Sequence, residues 1–174
     1  MNLLAEDTKI RYYLLEESIE VDDFEVAEFD FFKLYGITDY SETFKIWLRK
    51  FPRPTFIIAV KDKTIIGFIY IEPWEEMPNI VNVLRAQETY KLKRRRKIGY
   101  KLFILGLYVT PEYIITKPLT NESKKFYTDL GFIDVQKISM FKRYHSIVGY
   151  LVLPLNQRYH HLNYIKDYFV KLYV

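Results

Sequence analysis

The chain contains no cysteine, so disulfide bridges, thiolate-bound metal and a cysteine nucleophile are all excluded. Histidine is scarce. The three present, His145, His160 and His161, have no spacing that lets two imidazoles share a helix face with a carboxylate, so no metal centre is expected. Glycine is sparse too, with six residues, and none of the glycine-bearing signatures Gly-x-Gly-x-x-Gly, Gly-Lys-Ser/Thr or Gly-x-Ser-x-Gly occurs. Their absence removes the dinucleotide, P-loop and serine-hydrolase readings. No apolar run approaches the roughly 18 residues needed to span a bilayer. Residues 1–6 lack the basic start and apolar core of an export signal, so a cytoplasmic protein with no membrane association is expected. What the chain does have is 174 residues, 49% hydrophobic and 28% charged, enough to bury one core as a single domain over residues 1–174.

The net charge of +4 hides an asymmetry. Residues 1–30 hold ten acids against Lys9 and Arg11, a net of −8, which leaves +12 for the remainder. An acidic segment attracts cations over distance, and a basic one attracts phosphate.

Hydrophobic spacing orders the elements. Lys9 to Leu15 reads as a strand. Phe24, Ala27, Phe31 and Leu34 recur at helical spacing, which predicts a helix over 21–35 closed by Gly36. A second helix is predicted to start near Ser41 and to carry Phe44, Trp47, Leu48 and Phe51 on one face, before Pro52 and Pro54 stop it. Residues 55–71 read as a hairpin turning at 61–63, and 80–88 as a further strand. A helix over 100–107, a short strand over 113–116 and a helix capped by Thr120 and closed by Gly131 follow, then strands over 134–144 and 147–153. In the tail, Leu162, Ile165, Phe169 and Leu172 predict an amphipathic helix over 159–173, within an extension spanning 156–174. That helix either packs on the sheet or joins two copies in a homodimer.

From the end of the strand at 80–88 into the first turn of the helix at 100–107 lie Lys91, Lys93, Arg94, Arg95, Arg96, Lys97 and Lys101, with no acid among them. The first amides of a helix have no intrahelical partner, and the positive end of the dipole stands behind them, so this junction is suited to a phosphate or pyrophosphate. Arg94, Lys97 and Gly99 resemble the pyrophosphate loop of the GCN5-related N-acetyltransferases (GNAT), in which Gln or Arg is followed at fixed spacing by Gly and then Gly or Ala. Lys97 stands where that family has its first Gly. A second stretch, Thr120 to Phe132, is similar to the family's Asn-x-x-Ala-x-x-Phe-Tyr-x-x-Leu-Gly-Phe. The resemblance covers everything but the tail. It implies an α+β acyl-CoA N-acyltransferase fold, a mixed and mostly antiparallel sheet flanked by helices, to which the tail helix is added.

It also implies an activity: acetyl-CoA as cosubstrate, no metal, and acetyl transfer to a primary amine. The pyrophosphate would lie on Arg94, Arg95, Arg96, Lys97, Ile98, Gly99 and Tyr100. The amide-bearing arm would run along Gln87, Glu88 and Thr89, with Thr120 and Ser123 at the start of the next helix. Tyr127 occupies the position of the family's proton donor, and a phenol of ordinary pKa near 10 can hand over a proton at neutral pH. For the base, Glu88 is preferred over Glu72, and ordered water can replace either. The acids from Glu16 to Asp30 predict a cationic acceptor: a polyamine, a peptide N-terminus or a lysine. Two other readings compete. One is a nucleic-acid binder built on the basic loop, disfavoured because the −8 segment would repel a polyanion; the other is a catalytically silent coenzyme A sensor.

Overall fold

The structure is a computed structural model that describes residues 1–90 and 97–173. Arg94, Arg95 and Arg96, with Lys91 and Lys93, lie outside the described residues. Strands β1 (Asn2–Asp7), β2 (Ile10–Leu15), β3 (Glu25–Val26), β4 (Thr55–Lys61), β5 (Thr64–Pro73), β6 (Val81–Thr89), β7 (Tyr113–Thr116), β8 (Ile133–Asp134), β9 (Leu151–Val152) and β10 (Lys171–Leu172) form one sheet. Its order is β10-β1-β2-β4-β5-β6-β7-β9-β8, with β3 beside the start of β5. The β6–β7 and β3–β5 pairs are parallel and the rest antiparallel. This is the mixed, mostly antiparallel sheet expected.

Strands β4 and β5 read as continuous apolar runs because both of their faces are covered. Phe56, Ile58, Phe68 and Tyr70 point to one face, under α1 (Asp30–Leu34) and α2 (Tyr40–Leu48). Ile57, Ala59, Ile69 and Ile71 point to the other, under α3 (Ile98–Val109). The α3 helix is apolar nearly all round because the tail covers its outer side. It also lies close to the sheet. A Cβ added at Gly67 would come within 3.0 Å of Leu102, and one at Gly106 within 3.0 Å of Ile71.

Four sequence expectations are corrected. Residues 21–35 do not form one helix: a 3-10 turn over Ser18–Asp23 leads to β3, whose backbone pairs with Thr64 and Ile65, and only Asp30–Leu34 is α-helical. The edge of β5 beyond the reach of β6 needs hydrogen-bond partners, and that demand outweighs helical spacing. The α2 helix is capped by Asp39, whose side chain accepts the Glu42 amide, and Phe51 lies beyond it, 96% exposed. Residues 135–150 are not two strands but three 3-10 turns between β8 and β9, which place Val135, Phe141 and Ile147 against Val81, Val83 and Ile115.

The tail, finally, is not one amphipathic helix. α5 (Leu155–Asn163) gives way to a 3-10 turn over Ile165–Tyr168 and then to β10, paired with β1. The open edge of β1 again decides: Glu6 O accepts from Val170 and Leu4 O from Tyr173. No helix among the described residues is long and apolar enough to cross a membrane.

Candidate active site

β6 and β7 share a parallel ladder only from Val81↔Tyr113 to Leu84↔Thr116. Beyond Leu84, β6 continues for five residues with no strand on that side among the described residues. At the point of parting, the β5–β6 register slips between Tyr70↔Ala86 and Ile71↔Leu84, so Arg85 is the extra residue of a β-bulge. A fork in a sheet leaves backbone N–H and C=O groups along one edge, which an extended amide-bearing chain can pair with.

The first turn of α3 stands at this fork. Lys97, in left-handed conformation at φ 57°, is the residue before the helix, and the first intrahelical bond runs from the Lys101 amide to Lys97 O. The amides of Ile98, Gly99 and Tyr100 therefore precede the helical ladder, as an anion seat requires. Gly99 faces β6, where a Cβ would lie 3.5 Å from Thr89 Oγ1 and 3.6 Å from Gln87 Nε2. Gln87 spans the space between helices: its Nε2 donates to Gly99 O at 2.6 Å, while the Tyr127 hydroxyl, on α4 (Asn121–Asp129), approaches its Oε1 at 3.4 Å. Burial among Phe126, Phe132 and the α3 core pushes the Tyr127 phenol above its ordinary value. Sequence reasoning placed Gln87, Gly99 and Tyr127 in one site, and the structure brings these three together.

Other expected residues make contacts of their own. Thr120 and Ser123 bond to each other and to each other's amides, a capping box at the start of α4. Lys101 turns away from the α3 N-terminus, and its buried ammonium is paired with Asp7 on β1. The Tyr100 side chain also turns outward, with its hydroxyl 2.9 Å from His161 Nδ1. His161 Nε2 lies 2.7 Å from Leu130 O, an acceptor only, so Nε2 donates there. Thr89 is buried at the end of β6. Glu88 faces the α1 side, where its two oxygens accept the amides of Asp30 at 3.0 Å and Phe31 at 2.8 Å.

A cluster of which sequence reasoning named only Glu72 sits on that same face. Glu72, at the end of β5, accepts from the Tyr70 hydroxyl, from Lys50 Nζ at 3.1 Å and from Arg85 Nε at 3.1 Å. Burial pushes its carboxyl up, but the three donors outweigh burial and hold it below the usual carboxylate range. Trp47 stacks on Tyr70 at 4.6 Å, and Lys50 lies 5.7 Å from the same ring. Only Glu72 carried a signal in the sequence; its partners come from its own strand, from just past the end of α2 and from a bulge with no local signature. A groove of about 510 Å³ lies at the N-terminus of α4 between Asn121, Lys124, Asp134 and Gly149.

No protein-family model and no curated protein matches the chain. Solved structures do. An acetyltransferase of the GNAT family from Staphylococcus aureus Mu50 is 16% identical and superposes with a TM-score of 0.57 over 83% of this chain and 98% of its own. AtaTR bound with acetyl-CoA is 13% identical, with a TM-score of 0.57 over 87% and 97%. AtaT complexed with acetyl-methionyl-tRNAfMet is 13% identical, with a TM-score of 0.53 over 84% and 95%. At such identities the likeness establishes the fold, which is the GNAT fold.

Proposed function

We propose that the chain is an N-acetyltransferase that moves an acetyl group from acetyl-CoA to a primary amine. The observation that carries this is the fork at Arg85, where the edge of β6 past β7, the first turn of α3 and the buried Tyr127 meet. These residues fit the cosubstrate. The β6 edge from residue 85 offers backbone partners to an amide-bearing arm, and Gly99 keeps clear the space that a longer side chain would fill. The amides of Ile98 to Tyr100 suit a pyrophosphate, with Lys97 adding a cation. When bound, acetyl-CoA supplies an activated acyl thioester.

Tyr127 holds a proton at its hydroxyl, kept there by burial, and is the group we assign to the leaving thiolate. For the acceptor amine we assign proton loss to water rather than to Glu88. Both Glu88 oxygens accept α1 amides, and hydrogen bonds to the charged form favour it over the protonated one. Glu72 is a poor base for a related reason, since its three donors favour the ionised form.

The acceptor's charge is a separate matter. Of the acids at the start of the chain, Glu20 is paired with the Met1 amine, Asp22 with Lys45 and Glu28 with Lys33, so the segment presents less negative charge than its sequence sum. Its argument for a cationic acceptor is weakened accordingly. Because a chain of similar fold is seen with an acetylated aminoacyl-tRNA, that acceptor class belongs in the screen beside polyamines, peptides and lysine.

Calorimetry with acetyl-CoA and with free coenzyme A tests the proposal. Saturable binding unaffected by competing DNA is expected. No heat and no thermal shift at millimolar ligand would overturn it and leave a nucleic-acid binder ahead. Thiol release on adding amines then separates an enzyme from a silent sensor.

A further inference from the structure

Glu72, Lys50 and Arg85 form a cluster that the transfer mechanism does not use. One carboxylate faces two cations, so the group carries a net charge of +1, and its exposure is uneven. The Glu72 side chain is 19% exposed, against 50% for Lys50 and 45% for Arg85. The carboxylate is thus the inner anchor and the cations are the outer surface. Each cation has donors to spare. Arg85 commits only Nε to Glu72, and its terminal guanidinium nitrogens make no hydrogen bond among the described residues. Lys50 commits one of three ammonium protons.

The scaffold beneath is stiff. The Tyr70 hydroxyl donates to Glu72, Trp47 stacks on the Tyr70 ring, and the bulge fixes the outward path of Arg85. Holding two long cationic side chains in advance removes part of the entropy cost of binding an anion.

Position gives the cluster its meaning. Arg85 is the first β6 residue past the fork, and Gln87, reached by Tyr127 from the opposite face, is two residues further along. An acceptor approaching from the α2 face would meet Lys50 and Arg85 on its way to the fork. We infer that Arg85 and Lys50, anchored by Glu72, recognise an oxyanion, a carboxylate or phosphate, carried by the acceptor amine. They are specificity residues, since they touch the acceptor away from its reacting nitrogen. The inference rests on the transfer reading for its biological sense, yet anion binding at the cluster can be measured without it.

The test begins without cofactor. The protein is titrated calorimetrically with phosphoethanolamine against ethanolamine, and with glycylglycine against glycylglycine amide. In each pair the member that carries the phosphate or carboxylate should bind roughly tenfold or more tightly than the partner that lacks it, with a preference that shrinks as salt rises. Whichever anion shows the larger preference separates phosphate from carboxylate. Arg85→Gln should cut the preference by roughly tenfold, Lys50→Gln should cut it from a different element, and Arg85→Lys should restore part of it, because a point charge cannot form a bidentate pair. The ratio of kcat/KM across the same amines with acetyl-CoA should follow the binding ratio. Equal binding within each pair, or an unchanged preference in both Gln variants, would overturn the inference. If acetyl-CoA fails to bind while the anion preference is measured, the transfer reading falls and the anion site stands.

Discussion

A phenol that is 6% exposed and aimed at an amide oxygen holds its proton more firmly than one in water. Raising the Tyr127 pKa keeps the neutral, donating form in place beyond the ordinary value of about 10. The pH profile follows from the sign. Below that value the donor is always protonated, so the rate should rise with pH as the acceptor amine loses its proton, and it should not turn down before about pH 10. Tyr127→Phe should lower kcat roughly 100-fold and leave acetyl-CoA affinity within about twofold, measured by thiol release and calorimetry. A descending limb near neutral pH, or an unchanged kcat in the variant, would remove Tyr127 from the donor role. Gly99 offers a complementary test. A Cβ there meets only ordinary contacts, 3.5 Å to Thr89 and 3.6 Å to Gln87, so Gly99→Val should fold normally. Its methyl groups crowd the β6 edge beside the first α3 amides, and acetyl-CoA affinity should fall by roughly tenfold or more, about 1.4 kcal/mol.

At the scale of elements, α3 is held in place from its far end. Arg158 on α5 is buried and donates to Leu107 O at 2.6 Å, Thr110 O at 2.5 Å and Glu112 O at 3.1 Å, taking up carbonyls at and just beyond the α3 C-terminus. Replacing it leaves buried acceptors without partners, so Arg158→Met should cost about 2 kcal/mol in urea unfolding, with Arg158→Lys in between because a single ammonium cannot reach all three. Equal stability of parent and Met variant would show that water satisfies those carbonyls as well. The sequence was legible where local and tertiary demands agree. The β4–β5 hairpin is marked by Asp62 and Lys63, both at positive φ in its turn, and by the apolar runs on either side. The α4 cap at Thr120 and stop at Gly131, φ 102°, were equally plain. Legibility failed where a distant edge claims a segment with helical spacing, as β5 claims Val26 and β1 claims Leu172. The site divides likewise. Gly99 and Tyr127 sit in motifs and Gln87 on the strand that leads to the first of them, whereas Lys50, Tyr70 and Arg85 meet only because a bulge and a helix end converge on Glu72.

For the whole molecule, the decisive question is how a sheet this wide ends. An unpaired edge strand is a template for another chain, and folded proteins blunt such edges with short strands or coverings. On the β1 side the covering is the tail. β10 pairs Leu172 with Ala5 and Lys171 with Glu6, Tyr173 donates to Glu6 at 2.7 Å, and Phe169 lies edge-on to the buried Tyr12 at 5.4 Å. The opposite edge ends in the two-residue β8, followed at once by 3-10 turns. The tail packs on its own sheet, and a homodimer built by joining β1 edges would first have to displace β10. Removing residues 170–174 should therefore expose the β1 edge while leaving α5 and the Arg158 contacts in place. The expected outcome in sedimentation at micromolar concentrations is a monomer for the parent and concentration-dependent association for the truncated chain, with a small loss of unfolding free energy, about 1–2 kcal/mol for the lost hydrogen bonds. A truncated chain that stays monomeric would mean that the bulge between Leu3 and Ala5 already spoils the edge for pairing. A parent that dimerises while β10 remains in place would instead put the contact on a helical face.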